Sequence, residues 1–537
     1  MTTYLYNGKI YQQRDCFVQA MIVENGFITR CGSDEEILPL RNPNDLCINL
    51  HGRTVVPGFN DSHLHFLMSA IAFTTVDLYG VASIASLIDR GKRFLFEHNE
   101  VHRYALFGRG WNQDYFSDEV RLPTKFDLDK ISVEIPVVLA RTCGHVVVCN
   151  SKALEHCGIT ALTLQVDGGH HDIDEYGEPL GIFRENAIGL LASIQNSPSV
   201  DEQVTLLKNI SRLANSYGIT SVQTNDLTIG KDGYKEMEQA YCRYSAEQPT
   251  VRIYHQLSFS DLDVFRRYVE DGYHNNETSF HRFGPLKIFI DGSLGARTAL
   301  MRGLYVDDSS TMGIACMNQT NLEEWVQTAD QHGIQIAIHA IGDGAMTSVL
   351  DAYQKVIHNE NENRHGIVHC QITDTPLLQR FQAMDVLAYI QPIFLHYDLH
   401  IVEDRVGKKL ASTSYAFNTM ETLGIHTAYG TDSPVEGMNV FHNIHCAVNR
   451  QDLNNFPSEG FYPQERVDIS TAIDRLTLGS AYASFEENLK GRLLPGYFAD
   501  LVVLDQPIFD IASSLLKDVL VDLTMVDGQI VFDRQAS

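Results

Sequence analysis

The chain has 537 residues, 44% of them hydrophobic, and a formal net charge of −27 from 41 basic and 68 acidic side chains. That length exceeds one ordinary core and favours a large barrel or doubly wound domain with an accessory domain. The acidity excludes a nucleic-acid binder, which needs clustered Lys and Arg. Ten cysteines lie scattered with no CxxC pair, which argues against a disulfide framework or a structural zinc cluster and for reduced thiols in a cytoplasmic setting. Residues 1–9 lack a basic segment followed by an apolar one, and no run of about 18 apolar residues occurs, so neither secretion nor membrane insertion is expected.

The first 55 residues read as short strands. Residues 3–11 carry a turn at Asn7-Gly8, and residues 20–28 repeat the pattern at Asn25-Gly26. The 499–504 and 525–532 segments at the other end are again strand and hairpin patterns. The two ends are therefore expected to form one small β-sandwich domain, residues 1–55 with 485–537, since chain ends commonly lie close together. Next comes the 55–65 segment, where a short apolar strand runs into His63 and His65. Residues i and i+2 of a strand share a face, so both imidazoles can reach one metal ion. The pair alone is weak evidence, because a chain with 22 histidines contains roughly one such pair by chance.

Residues 100–195, rich in Gly, His, Asp and Pro, fit the pattern poorly and suggest an insertion covering a barrel mouth. Beyond them, apolar runs at 218–223, 286–290, 335–339, 366–369, 386–390 and 427–430 alternate with amphipathic segments such as 322–332. This alternation predicts parallel βα units, and a closed (β/α)8 TIM barrel over 56–484 suits the length. Several of the runs end in a potential ligand: His63 and His65, His339, His369, and Asp432 just past the last, with Lys287 inside one. Barrel active sites sit at the C-terminal ends of the strands, so these side chains can converge. His170, His171, His442 and His445 close no such run and read as surface or core histidines.

The ordered motifs resemble the amidohydrolase superfamily, and within it the third subgroup, that of YtcJ-type hydrolases and N-substituted formamide deformylases. They are PGFNDSHLH at 57–65, KIFIDGSLG at 287–295, HAIGD at 339–343, HCQ at 369–371, QP at 391–392, GTDSPV at 430–435 and KGRLLPGYFADLVVL at 490–504. The resemblance implies that His63, His65 and Asp432 hold a buried metal ion and that His339 and His369 hold a more exposed one. Lys287 would be carbamylated by CO2 and bridge the two. The competing reading is an ordinary lysine paired with Asp291, since buried lysines shift their proton affinity readily. Trp111 in GRGWNQ and His145 in CGH match family positions near the substrate, with loop packing the alternative. His396 is a further candidate for substrate contact, with an exposed or capping histidine equally compatible. Where the family usually carries Glu before the last histidine, this chain has Val368.

The implied chemistry is cleavage of a C–N bond, in an amide or N-formyl group of a small organic substrate. Metal coordination lowers the pKa of water towards about 7 and supplies hydroxide, with Asp432 as general acid and base. The ligand types suit zinc, one or two ions per chain, without excluding other divalent metals. A mononuclear aminohydrolase of a heterocycle, with Lys287 unmodified, is the enzymatic rival, and a barrel that only binds is the third reading. A homodimer is expected from the resemblance, and no membrane or nucleic-acid partner.

Overall fold

The computed structural model describes residues 2–73, 75–97, 105–141, 145–166, 168–194, 198–272 and 277–536. The chain divides into two units, one built from the first 67 residues with 203–537 and the other from 68–202.

The first unit carries eight parallel strands in sequence order: Phe59–Leu64, Ile219–Thr224, Arg252–Phe259, His281–Phe289, Ile336–Ala340, Gly366–His369, Leu387–Ile390 and Thr427–Tyr429. Each pairs in parallel with the next along the sheet. The edges meet through two backbone hydrogen bonds, Asp432 N–H to His63 O at 2.8 Å and His65 N–H to Ser433 O at 2.8 Å. The fold is therefore a (β/α)8 barrel, with helices such as Val200–Ser216, Gln319–Gln331 and Asp343–Tyr353 between strands. Gln319–Gln331 begins where Asn318 accepts from Asn321 N and buries Leu322, Trp325, Val326 and Ala329.

Two further sheets form the β-sandwich. One has the order Phe27–Gly32, Ala20–Glu24, Thr2–Tyr6, Leu46–Asn49. The other runs Gln529–Asp533, Val521–Val526, Leu501–Leu504, Thr54–Pro57, Lys9–Gln13, Cys16–Val18. Leu5, Met21 and Val23 from the first pack against Ile10, Val55, Leu501, Val503 and Met525 from the second. Thr54–Pro57 pairs antiparallel with Leu501–Leu504, which joins the two chain ends in one sheet.

Two expectations change here. Asn7-Gly8 makes no hairpin, because Thr2–Tyr6 and Lys9–Gln13 lie in different sheets. Asn7 adopts a φ of 55° and turns the chain from one sheet to the other. The apolar strand before His63 is also two strands, since Thr54–Pro57 belongs to the sandwich and Phe59–Leu64 opens the barrel. Gly58 makes the transfer, and a Cβ there would lie 2.2 Å from Thr220 Oγ1.

The second unit is a six-stranded mixed sheet, in the order Gly169–Ile173, Pro179–Glu185, Val146–Cys149, Val137–Arg141, Leu106–Trp111, Thr75–Asp77. Helix Ile84–Glu97 buries Ile84, Leu87 and Ile88 beside Leu106, Val137 and Leu139. Among the described residues no helix is long and apolar enough to cross a membrane.

Candidate metal centre

The C-terminal ends of the first, fourth, fifth, sixth and eighth barrel strands bring together the side chains singled out in the sequence. His63 and His65 each place Nε2 3.5 Å from Asp432 Oδ1. That separation is too long for a good hydrogen bond and close to the spacing of two atoms on one ion, since bonds of about 2.0–2.1 Å at a tetrahedral centre put ligands roughly 3.4 Å apart. His63, His369 and Asp432, all buried, offer ligand atoms within 4.8 Å of one another. Among the described residues they form the one such group of His, Cys or carboxylate ligands. The ring of His369 lies 4.5 Å from that of His339 and 5.5 Å from that of His63. His339 is therefore adjacent, but its Nε2 faces Gly292 O at 3.1 Å and Asp291 Oδ1 at 3.3 Å.

Lys287 is 2% exposed in the fourth strand, and its Nζ has no hydrogen-bond partner. Burial pushes its pKa down to about 7, against the attraction of Asp432. The expected alternative, a pair with Asp291, is not what the fold makes. The carboxylate of Asp291 instead accepts from the backbone N–H groups of Leu300, Ile341 and Gly342 at 2.8–3.1 Å. Lys287 Nζ lies over the Phe289 ring at 3.7 Å.

Burial, the Lys287 charge and His65 hold the His63 imidazole well below its usual value, and burial with His339 and His63 does the same for His369. Both rings are thus neutral, the form that ligates metal. Burial draws His65 down, but the nearby Asp432 carboxylate carries it above the ordinary value. Asp432 Oδ1 is buried and accepts no hydrogen bond. Neutral imidazoles around an unpartnered carboxylate oxygen and an unpartnered buried amine form a donor set that a divalent cation fits, and each unpartnered group is costly without one.

The remaining candidates have local partners of their own. Trp111 is fully buried in the second unit, with Nε1 donating to Leu139 O at 3.0 Å, so its side chain is core packing in that unit. His145 there pairs with Glu185 Oε2 at 2.9 Å, and its neighbours Cys143 and Gly144 lie outside the described residues. His396 accepts from Leu453 N–H at 3.2 Å. His171 and His445 are buried, and His445 bonds Asp452 O, while His170 is largely exposed.

Sequence reasoning missed the residues behind the ligands. Gln256 Oε1 lies 2.6 Å from His63 Nδ1, Asn225 O 2.6 Å from His65 Nδ1, and Gln391 Oε1 2.8 Å from His369 Nδ1. Asp61, pushed up to about 7 by burial, accepts from Thr431 N–H, Thr431 Oγ1 and His63 N–H and ties the last strand to the first. Asp398, in the short helix Leu395–Asp398 after the seventh strand, accepts from Tyr415 OH at 2.7 Å and Gln371 Nε2 at 3.0 Å. Phe394 beside it stacks on His369. Of these, Asp61, Gln371, Gln391 and Thr431 sat in quoted motifs. Gln256, Asn225 and Asp398 lie in a strand, a loop and a short helix with no spacing signal.

A model of the amidohydrolase family matches residues 47–532. The chain belongs to the amidohydrolase family. It is 32% identical to YtcJ of Bacillus subtilis (strain 168) over 96% of both chains. It is 26% identical to N-substituted formamide deformylase of Arthrobacter pascens, over 99% of this chain and 98% of that one. An uncharacterized metal-dependent hydrolase from Pyrococcus furiosus, known by crystal structure, superposes with a TM-score of 0.77 at 28% identity, over 95% of this amidohydrolase and 100% of that chain. Membership confirms the resemblance read from the motifs, and the metal dependence of the family agrees with the donor set.

Proposed function

We propose that this amidohydrolase hydrolyses a C–N bond, in an amide or N-formyl group of a small organic substrate, at a divalent metal centre of one or two ions. The observation that carries the reading is the pair of buried, unpartnered groups, Lys287 Nζ and Asp432 Oδ1, set among neutral imidazoles. The likeness to a formamide deformylase supports the choice of bond.

His63, His65, His369 and Asp432 would hold the metal, with His339 and Lys287 completing a second position, and these donors suit zinc. A bound divalent ion supplies Lewis acidity, which lowers the pKa of water towards about 7 and polarises a carbonyl. The Asp432 carboxylate would take the proton of the attacking water and return it to the leaving nitrogen. Burial holds Lys287 half-deprotonated near neutral pH, and the free amine is the form that combines with CO2 to give a carboxylate-like carbamate. Asp61 holds the Asp432 loop in register through Thr431. Phe289 and Phe394 wall the site with apolar rings beside His339 and His369.

The single three-residue ligand set favours one alternative, a mononuclear aminohydrolase with Lys287 unmodified. Metal content per chain, measured by plasma mass spectrometry on protein purified without chelators, separates the two. About two ions, falling to about one in Lys287→Ala, together with the mass of an added CO2 on the Lys287 peptide, is the expected outcome. One ion in both proteins and ammonia release from heterocycles would establish the alternative. No metal after reconstitution would overturn both.

A further inference from the structure

We propose that Gln256 and Gln391 are positioning residues that lock His63 and His369 in the tautomer whose Nε2 is free for a metal ion, and that their neutral amides keep the ligands weak. The inference rests on the metal reading above but concerns side chains that touch no ion.

Gln256 lies in the third barrel strand and is fully buried. Its Nε2 donates to Ser62 O at 3.0 Å, so its orientation is fixed: a flipped amide would set Oε1 against a carbonyl. Oε1 must then accept from His63 Nδ1 at 2.6 Å, and Nδ1 carries the proton. The lone pair of His63 sits on Nε2, the atom 3.5 Å from Asp432 Oδ1. Because Ser62 precedes His63, one glutamine clamps both the backbone and the ring of the same strand.

Gln391, at the end of the seventh strand, sets an amide oxygen behind a second imidazole, without the donor bond that fixes Gln256. It is 3% exposed and its Oε1 lies 2.8 Å from His369 Nδ1. Its Nε2 is buried without a partner. His65 is held in the same sense by the backbone carbonyl of Asn225, whose side chain is pinned by Gln256 O and Ser258 Oγ. All three rings therefore lean on neutral amide carbonyls. A carboxylate in that place would draw the proton, raise the basicity of Nε2 and tighten the metal.

The partner-free Nε2 makes Gln391→Glu a clean test, since it adds charge behind His369 and breaks no hydrogen bond that the structure shows. The experiment is titration of chelator-stripped full-length protein with Zn(II) against a chromophoric chelator, with the visible spectrum of Co(II)-loaded protein as a second readout. Gln256→Leu is expected to weaken binding by about 10–100-fold and to alter the Co(II) bands. Gln391→Glu is expected to tighten it by about tenfold. A merely structural role predicts weakening in both, so weaker binding by Gln391→Glu overturns the neutral-shell inference, even if Gln256→Leu fails to fold. Wild-type affinity in both variants overturns the positioning role. Absence of binding by the wild type overturns the metal reading itself, which is a distinguishable result.

Discussion

At the scale of single residues, the ligand-type side chains were legible and their supports were not. His63, His65, His339, His369 and Asp432 announce themselves because they end apolar runs, where a barrel gathers chemistry. Gln256 and Asp398 carry no such signal, since a lone Gln or Asp is common and its meaning depends on what the fold sets against it. Asp398 gives a prediction at this scale. Burial pushes its carboxyl up to about 6, while Tyr415 and Gln371 pull it down. A carboxyl whose folded value lies above its unfolded one keeps a proton that the unfolded chain has released. Its contribution therefore favours the fold at low pH and is lost as pH rises from about 4 to 6. Asp398→Asn cannot ionise and still offers an oxygen to Tyr415. Between pH 4 and 7, thermal melts of metal-free protein should show wild type losing up to about 3 kcal/mol relative to the variant as pH rises. Parallel pH profiles of the two proteins would refute the assignment.

At the scale of elements, six of the eight barrel strands stand out as apolar runs; the first is marked only by its histidines, and the third not at all. Arg252–Phe259 carries Arg252, His255, Gln256 and Ser258, all buried, so its sequence reads as polar. Each meets a distant partner: Arg252 with Asp500, His255 through Nε2 with His281, Gln256 with His63 and Ser62, Ser258 with Asn225. Periodicity cannot see such pairings. The closing seam of the barrel is likewise a tertiary fact. At Gly430 a Cβ would stand 2.6 Å from His63 N and 2.9 Å from both His63 O and Asp61 Oδ1. Two of those atoms are backbone and have nowhere to move. Gly430→Ala should therefore cost roughly 1–3 kcal/mol or more, read from the denaturation midpoint, and should lower metal content by displacing His63. A fully stable, metal-replete Gly430→Ala would show that the seam yields.

At the scale of the whole chain, the tail returns to the barrel through a buried ion pair. Arg252 Nε donates to Asp500 Oδ2 at 2.7 Å and Nη2 to Asp500 Oδ1 at 3.1 Å, with both side chains under 5% exposed. Removing one partner strands the other charge in a poorly solvating interior, so Asp500→Ala should destabilise by about 3–5 kcal/mol and lower the thermal midpoint by several degrees. An unchanged melting curve would place the stability of the unit elsewhere. The sequence by itself determined the alternation of strands and helices, the sandwich from both ends, the family and the candidate ligand-type residues, because burial periodicity and strand-end placement are local properties written in neighbouring residues. Tertiary structure alone decided that Asn7-Gly8 links two sheets, that Lys287 stands without Asp291, and that glutamines rather than carboxylates back His63 and His369. Each of these depends on which residues meet across tens to hundreds of positions, and burial and pairing there set both the cost of a polar group and the state of its proton.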